Sequence, residues 1–72
     1  MKTKQILHFI DFGKEYSVIK HYGKVNPYRI YHHYQDIGKD GFPHKHKKMM
    51  DQYASLEGCF YWFIQNNIGR ED

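Results

Sequence analysis

The densest run of chemistry-bearing residues is His44-Lys45-His46-Lys47-Lys48. It falls at the start of a predicted helix, where free backbone N–H groups and the helix dipole attract anions. Cations at that end of a helix are unfavourable for the helix itself, because the dipole is positive there. We therefore interpret Lys45, Lys47 and Lys48 as contacts to phosphate groups of a ligand. The alternative is a solvated loop whose charges serve only solubility.

A second run, between Tyr28 and Tyr34, interleaves aromatic and basic side chains along a predicted strand. Rings on a sheet can stack on nucleic-acid bases while neighbouring cations contact phosphates. The nucleic-acid contacts predicted in and beside this strand are Lys20, Arg29, Tyr31 and His33. The alternative is an ordinary strand, because Tyr is itself a strong strand former.

The charge of the chain is unevenly distributed. Eleven Lys and Arg stand against eight Asp and Glu, a formal net charge of +3. Residues 14–48 hold eight basic and three acidic side chains, a net of +5, whereas residues 49–72 hold one basic and four acidic ones, a net of −3. All six histidines lie between His8 and His46, so acidification adds charge to that part alone. An anionic partner is therefore expected to bind the first two-thirds of the chain.

Metal ligation requires several donors that converge on one point. His44 and His46 could chelate from a loop, with His32, His33 or Asp36 nearby if the third strand ends there. The spacing of these residues matches no known zinc module. We therefore predict neither a metal site nor a cofactor.

The chain lacks the usual enzyme motifs. Ser17 and Ser55 have no catalytic motif around them, and the segment 38–41 lacks the spacing of a P-loop. Cys59, the single cysteine, excludes a disulfide framework and is interpreted as a small core residue. We therefore expect a protein that is not an enzyme. A small ribonuclease that uses His with Tyr or Lys as acid and base is kept as the third possibility.

Three segments rich in Ile, Val, Tyr and Phe predict strands at about residues 4–12, 16–22 and 28–35. The links between them, 13–15 and 23–27, are short and contain glycine, which is typical of tight turns. The three strands are therefore predicted to form an antiparallel meander.

After a loop at residues 36–43, apolar residues recur every three or four positions. This spacing indicates an amphipathic helix from about Lys45 to Asn67, with Asn66-Asn67 and Gly69 as its stop. We therefore predict an α+β fold in which a three-stranded antiparallel meander is followed by one long C-terminal helix, in a single domain of residues 1–72. The predicted core is Ile6, Ile10, Val18, Ile30, Met49, Tyr53, Leu56, Phe60 and Phe63.

One helix covers only one face of a small sheet. Tyr31 on the sheet back and Trp62 on the helix back are therefore predicted to stay exposed in a single chain. A chain this short without a disulfide commonly gains stability by association, so we expect a homodimer. The predicted dimer interface, in which small residues beside Trp62 admit a second helix, is Ala54, Ser55, Gly58, Tyr61 and Trp62. A seam between sheet edges is the alternative.

The predicted outline, three strands, a loop with Gly41-Phe42 and a basic segment, resembles the arm-binding domains of tyrosine recombinases. Those domains read DNA with a three-stranded sheet, so the resemblance implies DNA binding by the sheet. It covers roughly half the chain, and the Thr-Lys-x-Glu-Ala run usual after Gly-Phe is missing. It is a likeness of outline, and a fold alone does not give a function.

The basic, aromatic sheet and the basic helix start together favour non-enzymatic nucleic-acid binding. The alternative is a homo-oligomeric protein-interaction module whose aromatic surfaces serve assembly. The first apolar run is broken by His8 and Asp11, which is not typical of a signal peptide or a membrane span. A cytoplasmic protein that acts on no membrane and no small-molecule substrate is therefore expected.

Overall fold

The computed structural model describes residues 2–68, in which four strands are followed by one short helix. The strands form a single antiparallel sheet in the order β1-β2-β3-β4. The elements are β1 (Thr3–Asp11), β2 (Lys14–His21), β3 (Tyr28–Ile37), β4 (Pro43–Tyr53) and α1 (Leu56–Gln65). Within residues 2–68, no helix combines the length and the apolar character needed to cross a membrane.

The β1–β2 hairpin turns on two residues, Phe12 and Gly13, whose φ angles are 48° and 80°. Positive φ at both central positions is typical of the type I′ turn, whose twist matches that of the flanking strands. With two residues in the turn, His8 lies opposite Ser17 in the register. The turn therefore comes earlier in the chain than the link at 13–15 expected from the sequence.

The prediction of three strands and one long helix is wrong, because the first half of the predicted helix forms β4. A closed turn precedes β4: the Gly38 N–H donates to the Phe42 carbonyl (3.0 Å), and the Asp40 carboxylate accepts from the Phe42 N–H (3.0 Å). This turn returns the chain along β3, with which β4 pairs throughout its length. Helix propensities of ordinary residues differ by only about 0.7 kcal/mol per residue, so sheet pairing overrides the helix propensity of Lys and Met.

The helix α1 packs on one face of the sheet. Cys59 and Phe63 of α1 lie against Val18 and Ile30, and all four side chains are at most 5% exposed. A helix of ten residues is only about 15 Å long. The described chain is a slab of 40 × 39 × 15 Å. The helix therefore covers the middle of one face and leaves the other face uncovered.

A β-bulge between Gln5 and Leu7 shifts the alternation of β1. As a result Leu7 and Phe9 pack against the core, whereas Ile10 points away from the helix. Met49 is exposed because it belongs to β4 and not to a helix. The predicted core residues that the structure exposes are Ile10 (66%), Met49 (43%) and Phe60 (46%).

The expectation that Tyr31 and Trp62 stay exposed in a single chain is also wrong. Tyr31 is 8% exposed. Trp62 is half-buried, with its ring centroid 6.4 Å from that of Tyr16 and 5.5 Å from that of Phe63. These two residues therefore give no reason to expect a dimer. The large apolar side chains that α1 does expose are Phe60 (46%), Tyr61 (62%) and Ile64 (57%).

The helix ends where the two asparagines were predicted to stop it. The Asn66 side-chain amide donates to the Trp62 carbonyl at 2.9 Å. Asn67 adopts a left-handed φ of 56°, which turns the chain out of the helix. The predicted contribution of Gly69 to this stop lies outside the described residues.

Gly58 faces β4, and the side chain of Tyr53 from the same chain occupies the space beside it. A Cβ at this position would lie 2.8 Å from the Cβ of Tyr53 and 2.7 Å from its Cγ and Cδ1. These atoms form the base of the ring, so they move only if the backbone moves. The absence of a side chain at Gly58 is thus explained by close packing within one chain, without a second helix.

We predict that Gly58→Ala destabilises the protein. Alanine gains about 0.8–1.0 kcal/mol of helix propensity, but overpacking against Tyr53 costs about 1–3 kcal/mol. Urea unfolding should therefore show a net loss of up to about 2 kcal/mol in the free energy of unfolding. Gln65→Ala, at an exposed position of the same helix, is the control and should change stability by less than about 0.5 kcal/mol. A more stable Gly58→Ala protein would contradict this packing.

Candidate functional site

The face of the sheet turned away from α1, here called the open face, carries most of the polar chemistry. Side chains alternate between the faces of each strand, and the register groups those of one face in rows. Two adjacent rows that cross all four strands are His8-Ser17-Tyr31-Met49 and Ile10-Glu15-His33-Lys47. The rows beside them contribute Ile19, Arg29 and Gln52 on one side, and Gln35 and Lys45 on the other.

Four side chains at the centre of the open face, here called the histidine cluster, form two hydrogen-bonded pairs. His8 Nε2 donates to Glu15 Oε2 over 2.6 Å. Ser17 Oγ and His33 Nε2 share a hydrogen bond of 2.6 Å. The His8 and His33 rings meet edge to face with centroids 6.2 Å apart. Each imidazole is therefore fixed through one nitrogen by a neighbour on the adjacent strand.

The burial of these four side chains is unequal. Ser17 is 0% exposed, whereas the side chains of His8 and Glu15 are 40% and 43% exposed. The hydrogen bond from His8 is the main reason that the pKa of Glu15 lies below its ordinary value. The charges of His8, His33 and Lys45 lower that pKa further. Glu15 is therefore held as a carboxylate within a positively charged neighbourhood.

Tyr31 and His21 form a second polar contact on the open face. The Tyr31 hydroxyl and His21 Nε2 are 2.9 Å apart. Burial lowers the pKa of His21, and the charges of Arg29, Lys47 and Lys24 lower it further. The His21 ring is therefore biased towards its neutral form.

Three permanent cations stand on the open face. Lys45 and Lys47 are exposed, and Lys47 Nζ lies 4.9 Å from the centroid of the Tyr31 ring. Arg29 is half-buried and its Nε donates to the Asn26 carbonyl at 3.4 Å. A cavity beside the cluster is lined in part by Glu15, His33 and Lys45. The cations can therefore meet an anion that lies across β3 and β4.

Of the seven residues predicted to contact nucleic acid, the structure brings five onto the open face. These are Arg29, Tyr31, His33, Lys45 and Lys47. Lys20 and Lys48 lie on the helix side of the sheet, because they pair with Tyr28 and His32 of that face. Tyr31 offers no free stacking surface, since it is buried beneath Lys47.

The predicted anion site at a helix N-terminus does not exist, because residues 44–48 belong to β4. The helix that is present begins at Leu56, after Ser55, and has Glu57 in its first turn. An acidic first turn suits the helix dipole but does not attract a phosphate. Any phosphate contact must therefore come from the sheet.

The histidines considered as metal ligands lie apart. His44 approaches Asp40 (3.1 Å) and His46 approaches Asp36 (3.0 Å), both on the helix side of the sheet. His33 lies on the open face. Among residues 2–68, no three His, Cys, Asp or Glu side chains converge to hold a metal ion.

Cys59 is 0% exposed in the core. Burial raises the pKa of its thiol to about 11. A thiol that remains protonated and inaccessible is a poor nucleophile. This placement agrees with the interpretation of Cys59 as a packing residue.

His8, Glu15 and Ser17 were not predicted from the sequence as site residues. The signal that could have found them is the Phe12–Gly13 turn, because a two-residue turn pairs positions equally far from it. That register places His8 opposite Ser17 and diagonal to Glu15. A turn assigned at 13–15 shifts the register, and a shift by one residue reverses the face of every side chain.

The predicted dimer residues lie in different surroundings. Ser55 is the residue before α1, Gly58 packs on Tyr53, and Trp62 packs on the core. Tyr61 is exposed on the outer side of the helix. Ala54 lies in the exposed link between β4 and α1. These residues therefore do not share one free helix surface.

Comparison with protein families, curated proteins and solved structures finds no match, so the meaning of the open face rests on its own geometry.

The lowered pKa of His21 predicts a specific pH dependence of stability. As the pH falls below the ordinary value of 6.5, the unfolded chain binds the His21 proton before the native protein does. Native stability is therefore lost from that value down towards the lower folded-state pKa. In His21→Asn this loss is removed, so the variant should gain stability relative to the wild type on acidification.

Urea unfolding of both proteins at about pH 8 and about pH 5.5 brackets the ordinary histidine titration. The free energy of unfolding of the variant, minus that of the wild type, should be larger at the lower pH than at the higher pH. The same difference at both pH values would show that His21 does not titrate differently in the two states.

Proposed function

We propose that the protein binds single-stranded nucleic acid on the open face, with Arg29, Lys45 and Lys47 as phosphate contacts. The observation that carries the proposal is the charge of this face. Among the described residues, its strands hold three permanent cations and three histidines but a single carboxylate, Glu15, which is already bonded to His8. Such a face attracts a polyanion.

The shape of the face favours a single strand. Four strands about 4.8 Å apart, with their side chains, form a surface broader than the major groove of B-DNA, which is about 12 Å wide. A single strand can lie on a flat sheet with its phosphates on cations and its bases on rings. The partly accessible rings of His8 and His33 supply the stacking surface that Tyr31 does not.

The affinity of such a site depends on salt. Each phosphate neutralised on a single strand contributes about −0.7 to the slope of log K against log salt concentration. Three phosphate contacts therefore correspond to a slope of about −2. An interaction through apolar surfaces would show almost no slope.

Lys47 and Lys48 provide a matched pair for testing this proposal. They are neighbours in β4 and both exposed, but they lie on opposite faces of the sheet. We predict that Lys47→Glu and Lys45→Glu each weaken binding of a mixed-sequence oligonucleotide and reduce the salt slope by about 0.7 or more. Lys48→Glu changes the net charge equally and should retain most of the affinity.

Fluorescence anisotropy with labelled single-stranded DNA and RNA at several salt concentrations measures both quantities. Equal losses in all three variants would mean that net charge alone attracts the oligonucleotide. No binding by the wild-type protein at low salt would refute the proposal.

The second candidate function is self-association, which the exposed apolar side of α1 favours. Phe60 and Ile64 border an apolar groove that continues onto Leu7 and Phe9 of β1. Tyr61 beside them is 62% exposed. A homo-oligomeric interaction module would bury this surface against a second copy.

Ile64→Lys tests this candidate, since Ile64 lines the apolar groove and a charge in an apolar seam is costly to bury. If α1 forms the seam, sedimentation equilibrium should show a dimer for the wild type and a monomer for the variant. Gln65→Lys, which adds the same charge on the same helix outside the groove, is the control. A wild-type monomer at all concentrations would exclude this function.

A further inference from the structure

The histidine cluster has an arrangement that binding alone does not require. Two imidazoles lie side by side, each held through Nε2 by a different partner. Among the described residues, neither ring makes a hydrogen bond through Nδ1. Each histidine therefore has one ring nitrogen that makes no hydrogen bond within the described residues.

From this arrangement we propose that His8 and His33 are a general acid and a general base that cleave RNA by attack of the 2′-hydroxyl on the adjacent phosphodiester. This activity rests on the proposed function, because it requires RNA on the open face. It takes up the third possibility considered from the sequence, a small ribonuclease, in place of the first expectation of a protein that is not an enzyme.

Ser17 is not the nucleophile, although it shares a hydrogen bond of 2.6 Å with His33. A Ser–His pair is the usual form of an activated hydroxyl. Here the Ser17 side chain is 0% exposed, so no substrate atom can reach its oxygen. The nucleophile must therefore come with the ligand, and RNA carries one in every 2′-hydroxyl.

The separation of the two rings suits one phosphodiester. Their centroids are 6.2 Å apart, and a catalytic nitrogen acts on an oxygen about 2.6–3.2 Å away. One ring can thus reach the attacking oxygen and the other the leaving oxygen. Lys47 pairs with His33 across the strands, and Lys45 lines the same cavity as His33. Both cations can stabilise the negative charge that develops on the phosphoryl oxygens.

The reaction needs no reagent besides RNA. Neutral His33 takes the proton from the 2′-hydroxyl, and the freed oxygen forms a bond to phosphorus. The bond from phosphorus to the 5′-oxygen breaks, and protonated His8 gives its proton to that oxygen. The products are a 2′,3′-cyclic phosphate and a 5′-hydroxyl, and exchange with water returns each histidine to its starting state.

The roles are assigned from the partners of the rings. Glu15 is a carboxylate in hydrogen-bond contact with His8, and a carboxylate stabilises an imidazolium. Ser17 is uncharged and can donate to or accept from His33. His8 is therefore the acid and His33 the base, while Glu15 and Ser17 are positioning residues.

The test uses the full chain and a labelled DNA oligonucleotide that contains a single ribonucleotide, in buffer with EDTA. Cleavage is expected only after the ribonucleotide, with a 2′,3′-cyclic phosphate on one product. His8→Gln and His33→Asn should each lower the single-turnover rate by about 10²-fold or more. His44→Asn, on the helix side of the sheet, is the matched control and should leave the rate unchanged.

A positioning role for Glu15 has its own measurement. Glu15→Gln should lower kcat without raising KM, and Glu15→Asp should restore part of kcat. A rise in KM alone would place Glu15 in binding and overturn its assigned role.

The outcomes separate this proposal from the proposed function. Binding of the oligonucleotide without cleavage would overturn the catalytic proposal and leave nucleic-acid binding intact. No binding would overturn both. Cleavage that continues in His8→Gln and His33→Asn, with circular dichroism showing folded variants, would assign the activity elsewhere. Equal cleavage of an all-DNA oligonucleotide would exclude the 2′-hydroxyl as the nucleophile.

Discussion

The contact of Cys59 and Phe63 with Val18 and Ile30 determines which surfaces of this protein meet water. These four residues are the centre of the core, and burying a Val, Ile or Phe side chain contributes about 1.5–3 kcal/mol. Residues 2–68 form one short helix and a sheet of four strands, so this helix can cover one face only. The opposite face must therefore satisfy its polar groups by other means, and it does so through histidine, serine, tyrosine and glutamate.

The register of the first hairpin connects the core to the open face. The same turn that places Phe9 and Tyr16 towards α1 places His8 and Ser17 on the other side. A slip of one residue would exchange these sets and bury imidazoles in the core. Phe12 adopts a positive φ of 48° within this turn, a conformation that costs a non-glycine residue of order 1–3 kcal/mol. The packing of the core outweighs that strain and holds the histidine cluster in place.

The predictability of the fold follows from the kind of signal each segment carries. The first three strands are rich in β-branched and aromatic residues, and they occur near the expected positions and pair in the expected order. The segment that forms β4 has the apolar spacing of a helix, and its strand character comes from pairing with β3. A pattern within one segment cannot report a hydrogen-bonding partner, so the fourth strand was missed and the helix was predicted too long.

Only those site residues that stand out by their residue type could be predicted from the sequence. Arg29, His33, Lys45 and Lys47 stand out as basic residues, and strand alternation happens to bring them to one face. On a helix, Lys48 would share a surface with its neighbours. On a strand it does not, because adjacent residues point to opposite faces. His8, Glu15 and Ser17 are isolated in the sequence, and only the register of β1 and β2 unites them.

The hydrogen-bond partners of the histidines on the open face fit both the neutral and the protonated form of the ring. A neutral imidazole nitrogen can donate or accept, whereas a protonated ring only donates. The hydroxyls of Ser17 and Tyr31 can rotate to match either state of His33 and His21, and the carboxylate of Glu15 accepts from His8 in both. In the described chain no buried side-chain nitrogen or oxygen lacks a partner. Since a buried polar group left unsatisfied costs about 1–3 kcal/mol, these pairings are what allows polar side chains to be buried on the open face.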